Sequence, residues 1–164
     1  MSKKTPGVVK SQVAKAGGRD FSLSRIKENR PSQKERVMTA LKIILAVDDE
    51  PGYLEVIKFE YSGKGFTIFS ARNADDALAV LKRESIDLVI TDMKMPGKDG
   101  LDLVIQIRKT LPDLPIIIMT GYAMEDRLKR VLEFKRTVHI HKPFDLDKLG
   151  ATVSQLLSEE KLLS

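Results

Sequence analysis

Between residues 43 and 141 the chain alternates two hydrophobic patterns. Runs of four or five consecutive apolar or β-branched residues read as strands buried on both faces. Stretches with apolar residues three and four apart read as helices with one inward face. Ile43-Ile44-Leu45-Ala46-Val47 is the first such strand, and it runs into Asp48-Asp49-Glu50-Pro51-Gly52. Pro51 suits the first turn of a helix, which continues inward through Leu54, Ile57 and Tyr61 until Gly63 and Gly65 end it. Phe66 to Ala71 makes a second strand. Asn73 caps a second helix, whose inner face is Ala74, Ala77, Leu78 and Leu81.

A third strand, Leu88-Val89-Ile90-Thr91, ends abruptly in Asp92, and Met93-Lys94-Met95-Pro96-Gly97 follows as a loop. The third helix carries Leu101, Val104, Ile107 and Leu111 inward. Ile116-Ile117-Ile118-Met119 is a fourth strand ending at Thr120-Gly121, and Met124, Leu128 and Val131 mark a fourth helix. Val138-His139-Ile140-His141 is a short fifth strand before Lys142-Pro143-Phe144; a last helix starting near Asp145 buries Leu146, Leu149, Val153 and Leu156. Five strand–helix units predict an α/β fold with a parallel sheet covered on both faces. The doubly wound strand order 2-1-3-4-5 sets the switch point between strands one and three, which brings Asp48 and Asp49 beside Asp92.

Charge changes the picture at the N-terminus. The net charge is +5, yet residues 1–37 carry 10 Lys/Arg against 3 Asp/Glu, while the remainder carries 18 against 20. The basic character therefore belongs to the first segment, which has several turn formers and no sustained apolar period and is expected to be disordered. The expected division is a basic extension over residues 1–38 and a folded domain over 39–164. Lys34-Glu35-Arg36 is also what a purine-rich ribosome-binding site would encode just ahead of Met38. An upstream start chosen in error is thus a second explanation of the extension. It lacks interleaved aromatic residues, so no nucleic-acid partner is expected. The absence of cysteine excludes disulfides, thiol chemistry and cysteine–zinc sites. No apolar run is long enough to span a bilayer and the N-terminus lacks the apolar centre of a secretory signal, so a cytoplasmic location without membrane contact is expected.

In an open parallel sheet, ligand chemistry gathers beyond the carboxyl ends of the strands. Strand one delivers Asp48 and Asp49 there, strand three Asp92, strand four Thr120 and strand five Lys142. Taken alone, Asp48-Asp49-Glu50 reads as acids complementing a helix dipole. With Asp92 opposite, three crowded carboxylates call for a cation, and oxygen ligands that leave room for water favour Mg2+. Asp49 and Asp92 are the expected direct ligands, with Asp48 acting through water. A carboxylate is also a workable nucleophile towards phosphorus. Asp92 is the expected acceptor, with the Lys142 ammonium and the Thr120 hydroxyl neutralising phosphoryl oxygens and Gly121 permitting a close approach to backbone.

Asp48-Asp49, Asp92, Thr120 and Lys142-Pro143, at these spacings, resemble the receiver domain of two-component response regulators, over residues 41 to about 158. The resemblance implies a flavodoxin-like (βα)5 fold and Mg2+-dependent transfer of phosphate from a phosphohistidine to Asp92. It also implies a metal-bound carbonyl at Lys94, a cis Lys142–Pro143 bond, and a protein that catalyses only its own phosphorylation and slow dephosphorylation. Met95-Pro96-Gly97-Lys98-Asp99-Gly100 is similar to the family's loop before the third helix. Position 139, usually an aromatic switch residue in the family, holds His139. Lys94 and Tyr122 flank the path of a hydrolytic water and are expected to prolong the phosphoaspartate. The third loop and the stretch from Thr137 to Asp145 are especially similar to the stand-alone receivers of the sporulation phosphorelay.

With nothing following the last helix, the signal is expected to leave by docking or by phosphate transfer, from a monomer or a weak phosphorylation-dependent dimer. Gly52, Tyr53 and Val56 with Pro143 and Phe144 rim the acceptor and are the expected contacts for a sensor histidine kinase or a histidine phosphotransfer protein. Arg127, Lys129, Arg130, Lys135 and Arg136 make the fourth helix and the approach to the fifth strand basic. Two other classes compete. An aspartyl-nucleophile phosphatase would want a second acid two residues after Asp92, where Lys94 stands. A phosphate-blind binding module on the same fold would be expected to have lost an acid or the lysine, and none is missing.

Overall fold

The apolar run before Asp92 forms a strand buried at every position, β3 (Leu88–Asp92). Its neighbours are β1 (Lys42–Val47) and β4 (Ile116–Thr120), and β2 (Phe66–Ala71) and β5 (Thr137–His141) lie outside them. The computed structural model describes residues 41–121 and 125–158; the expectations for residues 1–38, Tyr122 and Met124 lie outside the described residues. Among the described residues every strand pairing is parallel, in the order β2-β1-β3-β4-β5. The doubly wound order expected from the alternating pattern, and the flavodoxin-like fold that the family resemblance implies, are the ones observed.

Helices cover both faces. Alternation along each strand sends Leu45, Val47, Val89, Ile116 and Ile118 to one side, against α2 (Ala74–Arg83), α3 (Gly100–Thr110) and α4 (Glu125–Leu132). Ile44, Ala46, Ile90, Ile117 and Met119 face the other side, against α1 (Pro51–Ser62) and α5 (Leu146–Ser158). Each fully buried Ile or Leu contributes about 1.5–3 kcal/mol, which is why uninterrupted β-branched runs hold the centre of the sheet. No described helix is long and apolar enough to cross a membrane.

The helix boundaries follow local chemistry. Pro51 stands at the start of α1, and Leu54, Ile57 and Tyr61 are buried along it. The Asn73 side chain accepts from the Asp76 N–H and starts α2. Asp99 and Asp102 form a reciprocal capping box at α3, each accepting the other's backbone N–H. Leu111 corrects the expected inner face of α3. The helix ends at Thr110, and Leu111 is its cap, 39% exposed; Leu103 takes the inward place. Val80, not assigned to the core from spacing, is buried on α2, while Leu78, Leu81 and Leu146 are half-buried.

Three side chains anchor the strand entrances. Asp87 accepts from Lys42 Nζ at 2.8 Å and from the Ile43 N–H at 2.7 Å, tying the start of β1 to the start of β3. Arg108 at the end of α3 donates to the Leu114 carbonyl (2.7 Å), the Lys135 carbonyl (3.0 Å) and Thr137 Oγ1 (2.9 Å). Arg136 takes a left-handed backbone (φ 53°), and its guanidinium holds the carbonyls of Asp113 and Leu156. These bonds fix β5, and so the residue that follows it.

Candidate functional site

The site is built by backbone that stays in sheet register one step past the strands. The Asp48 N–H donates to the Ala71 carbonyl (3.1 Å), Met93 N–H to the Met119 carbonyl (2.8 Å) and Lys142 N–H to the Thr120 carbonyl (2.8 Å). Asp48, Asp92 and Lys142 are therefore delivered to one edge by rigid strands, although 94 positions separate the first from the last. The Lys142–Pro143 peptide is cis, as expected.

There the Lys142 ammonium donates to Asp48 Oδ2 at 2.7 Å and to Asp92 Oδ1 at 2.8 Å. Its Nζ also lies 3.8 Å from the centroid of the Tyr53 ring. Asp92 Oδ2 accepts the Lys94 N–H at 2.8 Å, and Asp48 Oδ1 accepts the Glu50 N–H at 2.9 Å. Asp48 is fully buried and Asp92 nearly so. One cation thus serves two anions. Burial pushes the Asp92 carboxyl above the ordinary carboxylate value, and repulsion from Asp48 adds to this, while Lys142 and the Lys94 N–H pull it back. Burial alone would lower the lysine, but its bonds and attraction to Asp48 and Asp92 outweigh that and hold it above its ordinary value.

Asp92, Lys94, Thr120, Gly121 and Lys142 open onto a crevice of about 520 Å3 that Glu50 borders. Thr120 is buried at the end of β4 and Gly121 is exposed beside it. Asp49 is half-buried and lines an adjoining hollow with Glu50, Lys94 and Pro96. The Asp49 carbonyl accepts from Arg72 Nη2 at 3.3 Å. Of the expected carboxylate triad, the lysine joins Asp48 and Asp92; Asp49 lies along the same loop edge. Among the described residues no group of three or more His, Asp and Glu side chains is disposed to hold a metal ion. The donor chemistry nonetheless suits a hard divalent cation: the acids Asp92, Glu50 and Asp49 line the crevice and the adjoining hollow, and the buried charges of Asp48, Asp92 and Lys142 leave a negative excess.

Gly100 sets the height of the acceptor loop. Its N–H donates to the Met93 carbonyl at 2.9 Å, and a Cβ placed on it would lie 2.4 Å from the Asp92 carbonyl oxygen and 2.8 Å from the Met93 Cα. Those are backbone atoms and cannot swing aside. Gly100→Ala is expected to cost about 1–3 kcal/mol, read as a lowered denaturant midpoint; an unchanged midpoint would show that the loop yields freely.

The sequence profile of the response regulator receiver domain matches residues 44–154. The chain belongs to this family. Among its relatives, sporulation initiation phosphotransferase F of Bacillus subtilis is 33% identical over 114 residues, covering 70% of this chain and 92% of that protein. The DNA-binding transcriptional regulator NtrC of Salmonella typhimurium is 34% identical over 116 residues, covering 71% of this chain. The chain spans only 25% of that regulator, so the match concerns its receiver portion alone. In structure, a receiver domain protein of Methanospirillum hungatei superposes with a TM-score of 0.73 at 28% identity, covering 76% of this chain and 100% of that one. A receiver domain of Clostridium thermocellum gives 0.70 at 31% identity, with the same coverage.

In this receiver the residues expected from the sequence to meet a partner differ in exposure. Gly52, Val56 and Pro143 are exposed, and Tyr53 and Phe144 are half-buried with ring centroids 5.8 Å apart. Phe59 on α1, unflagged by the sequence, is 87% exposed. The sequence also gave no sign that Tyr53 would meet the lysine.

His139 is half-buried on β5, its ring edge-on to His141 at 5.1 Å. Burial, then His141 and Lys148, lower its pKa below the ordinary value of 6.5. Between that lowered pKa and about 6.5 the unfolded chain binds a proton that the folded receiver refuses. The His139 contribution is therefore complete above pH 6.5 and is lost as the pH falls through this window. His139→Phe is expected to remove that slope, measured as urea midpoints across a pH series; an unaltered slope would assign it to other groups.

Proposed function

We propose that this receiver accepts a phosphoryl group from a phosphohistidine onto Asp92 and passes the signal on by docking or by onward transfer. The observation that carries the reading is the Lys142 ammonium held 2.8 Å from Asp92 Oδ1, on a carboxylate that faces an open crevice. An Asp92 oxygen attacks phosphorus as the phosphorus–nitrogen bond of the phosphoimidazole breaks, and the imidazole leaves with the electron pair. Lys142 moves from its shared position to a phosphoryl oxygen, and the Thr120 hydroxyl takes another. Mg2+, held by Asp49, Asp92 and the Lys94 carbonyl with Asp48 reached through water, would neutralise the charge that the incoming group adds.

The donor is a sensor histidine kinase or a histidine phosphotransfer protein that meets Gly52, Tyr53, Val56, Pro143 and Phe144, working in the cytoplasm. Likeness to the sporulation phosphotransferase over 92% of that protein's length supports a stand-alone relay. The test is a timed transfer of radiolabel from a phosphorylated histidine kinase to the receiver, with and without a magnesium chelator. Chelator-sensitive label on Asp92 is expected. Label on another residue, or none from any histidine donor or acetyl phosphate, would overturn the assignment.

A further inference from the structure

Resting on that phosphoacceptor reading, we infer that Tyr53 is a positioning residue for the lysine: its ring face holds the Lys142 ammonium in the place from which it serves Asp92. An ammonium has three N–H donors. Two of those of Lys142 go to Asp48 Oδ2 and Asp92 Oδ1, and Nζ stands 3.8 Å from the Tyr53 ring centroid. A cation within about 6 Å of an aromatic face is attracted by the ring quadrupole, more strongly where water is scarce. Water is scarce here, since the Lys142 side chain is only 9% exposed.

The ring is itself braced. Tyr53 lies in the first turn of α1 and leans on Phe144, two residues beyond the lysine, at an interplanar angle of 40°. The ammonium is thus bounded by two carboxylates and an aromatic face, and a move towards a phosphoryl oxygen in the crevice starts from one defined place. A leucine could fill the same volume, but it has no negative face to offer. Tyr53 also rims the surface proposed for the histidine donor, so the residue beneath the lysine is one that a docked partner would touch.

The test uses the full chain with acetyl phosphate, a donor that needs no docking surface. Tyr53→Phe keeps the ring and is expected to label Asp92 within about twofold of the parent. Tyr53→Leu is expected to label about three- to tenfold more slowly. Phenylalanines carrying one, two and three ring fluorines at position 53 should slow labelling stepwise, because fluorine drains the ring face while hardly changing its shape. In the unphosphorylated protein, the Lys142 ε-methylene protons should show an upfield ring-current shift that persists in the Phe variant and vanishes in the Leu variant. Parent-like labelling by Tyr53→Leu would overturn the inference, as would a slow Leu variant with no dependence on fluorination, which would reduce Tyr53 to packing. A parent that takes no label but shows the ring-current shift would instead sink the phosphoacceptor reading and leave the ring–lysine contact standing.

Discussion

Asp92→Asn is expected to abolish phosphoryl labelling, by about a thousandfold or more, and at the same time to make the domain more stable at neutral pH. The first effect follows from chemistry: an amide oxygen at the end of β3 is no nucleophile towards phosphorus at neutral pH. The second follows from the burial of Asp92 beside Asp48. A carboxyl whose folded pKa is raised holds its proton more tightly in the folded chain than in the unfolded one. Its favourable contribution is present below the unfolded value and is lost as the pH rises through the folded one. The parent therefore gives up stability across that window, and the Asn variant, having nothing to titrate, does not. Denaturant midpoints of both proteins at acid and neutral pH check this. An Asn variant less stable than the parent at neutral pH would mean that the Lys142 bond outweighs the cost of burying the charge.

How much of this was legible beforehand divides along a physical line. Unbroken β-branched runs such as Ile116-Ile117-Ile118 announce strands buried on both faces, because no other element hides every side chain of a short segment. The strand order then follows from few alternatives, and with it the meeting of Asp48, Asp92, Thr120 and Lys142 at one edge. What periodicity misses is where a pattern stops. Leu111 continues the spacing of α3, yet the helix has already ended and Leu111 turns out towards solvent. It also misses contacts that lack a local signal. Asp87 before a strand looks like any loop acid, although it pins β1 through Lys42 and the Ile43 N–H. Tyr53 on α1 looks like a surface aromatic for a partner, and only the folded chain sets it against a lysine that is distant in sequence. Asp48 was expected to act on a metal through water; its direct bond to Lys142 depends on the side-chain reach from the end of β5 past β4 and β3 to the end of β1, which spacing does not encode.

The ion cluster itself supplies the other large effect. Lys142→Met is expected to cost about 3–5 kcal/mol at neutral pH, despite replacing a charged side chain with an apolar one of similar length. The lysine is the cation shared by Asp48 and Asp92, and removing it leaves two buried carboxylates facing each other. Either acid can escape only by taking up a proton, so the lost stability should return as the pH is lowered. It should also return at neutral pH when Asp92→Asn is added, since one neutral amide ends the repulsion. The two substitutions are thus expected to be strongly non-additive, with the double variant far more stable than the sum of the single effects. Denaturant midpoints of the four proteins of the cycle measure that coupling. Additive effects would mean that Lys142 stabilises through its aliphatic stem and not through the two acids. Labelling of the Lys142→Met variant should fall about a hundredfold, because Asp92 would then meet the incoming phosphoryl group without the ammonium that faces it.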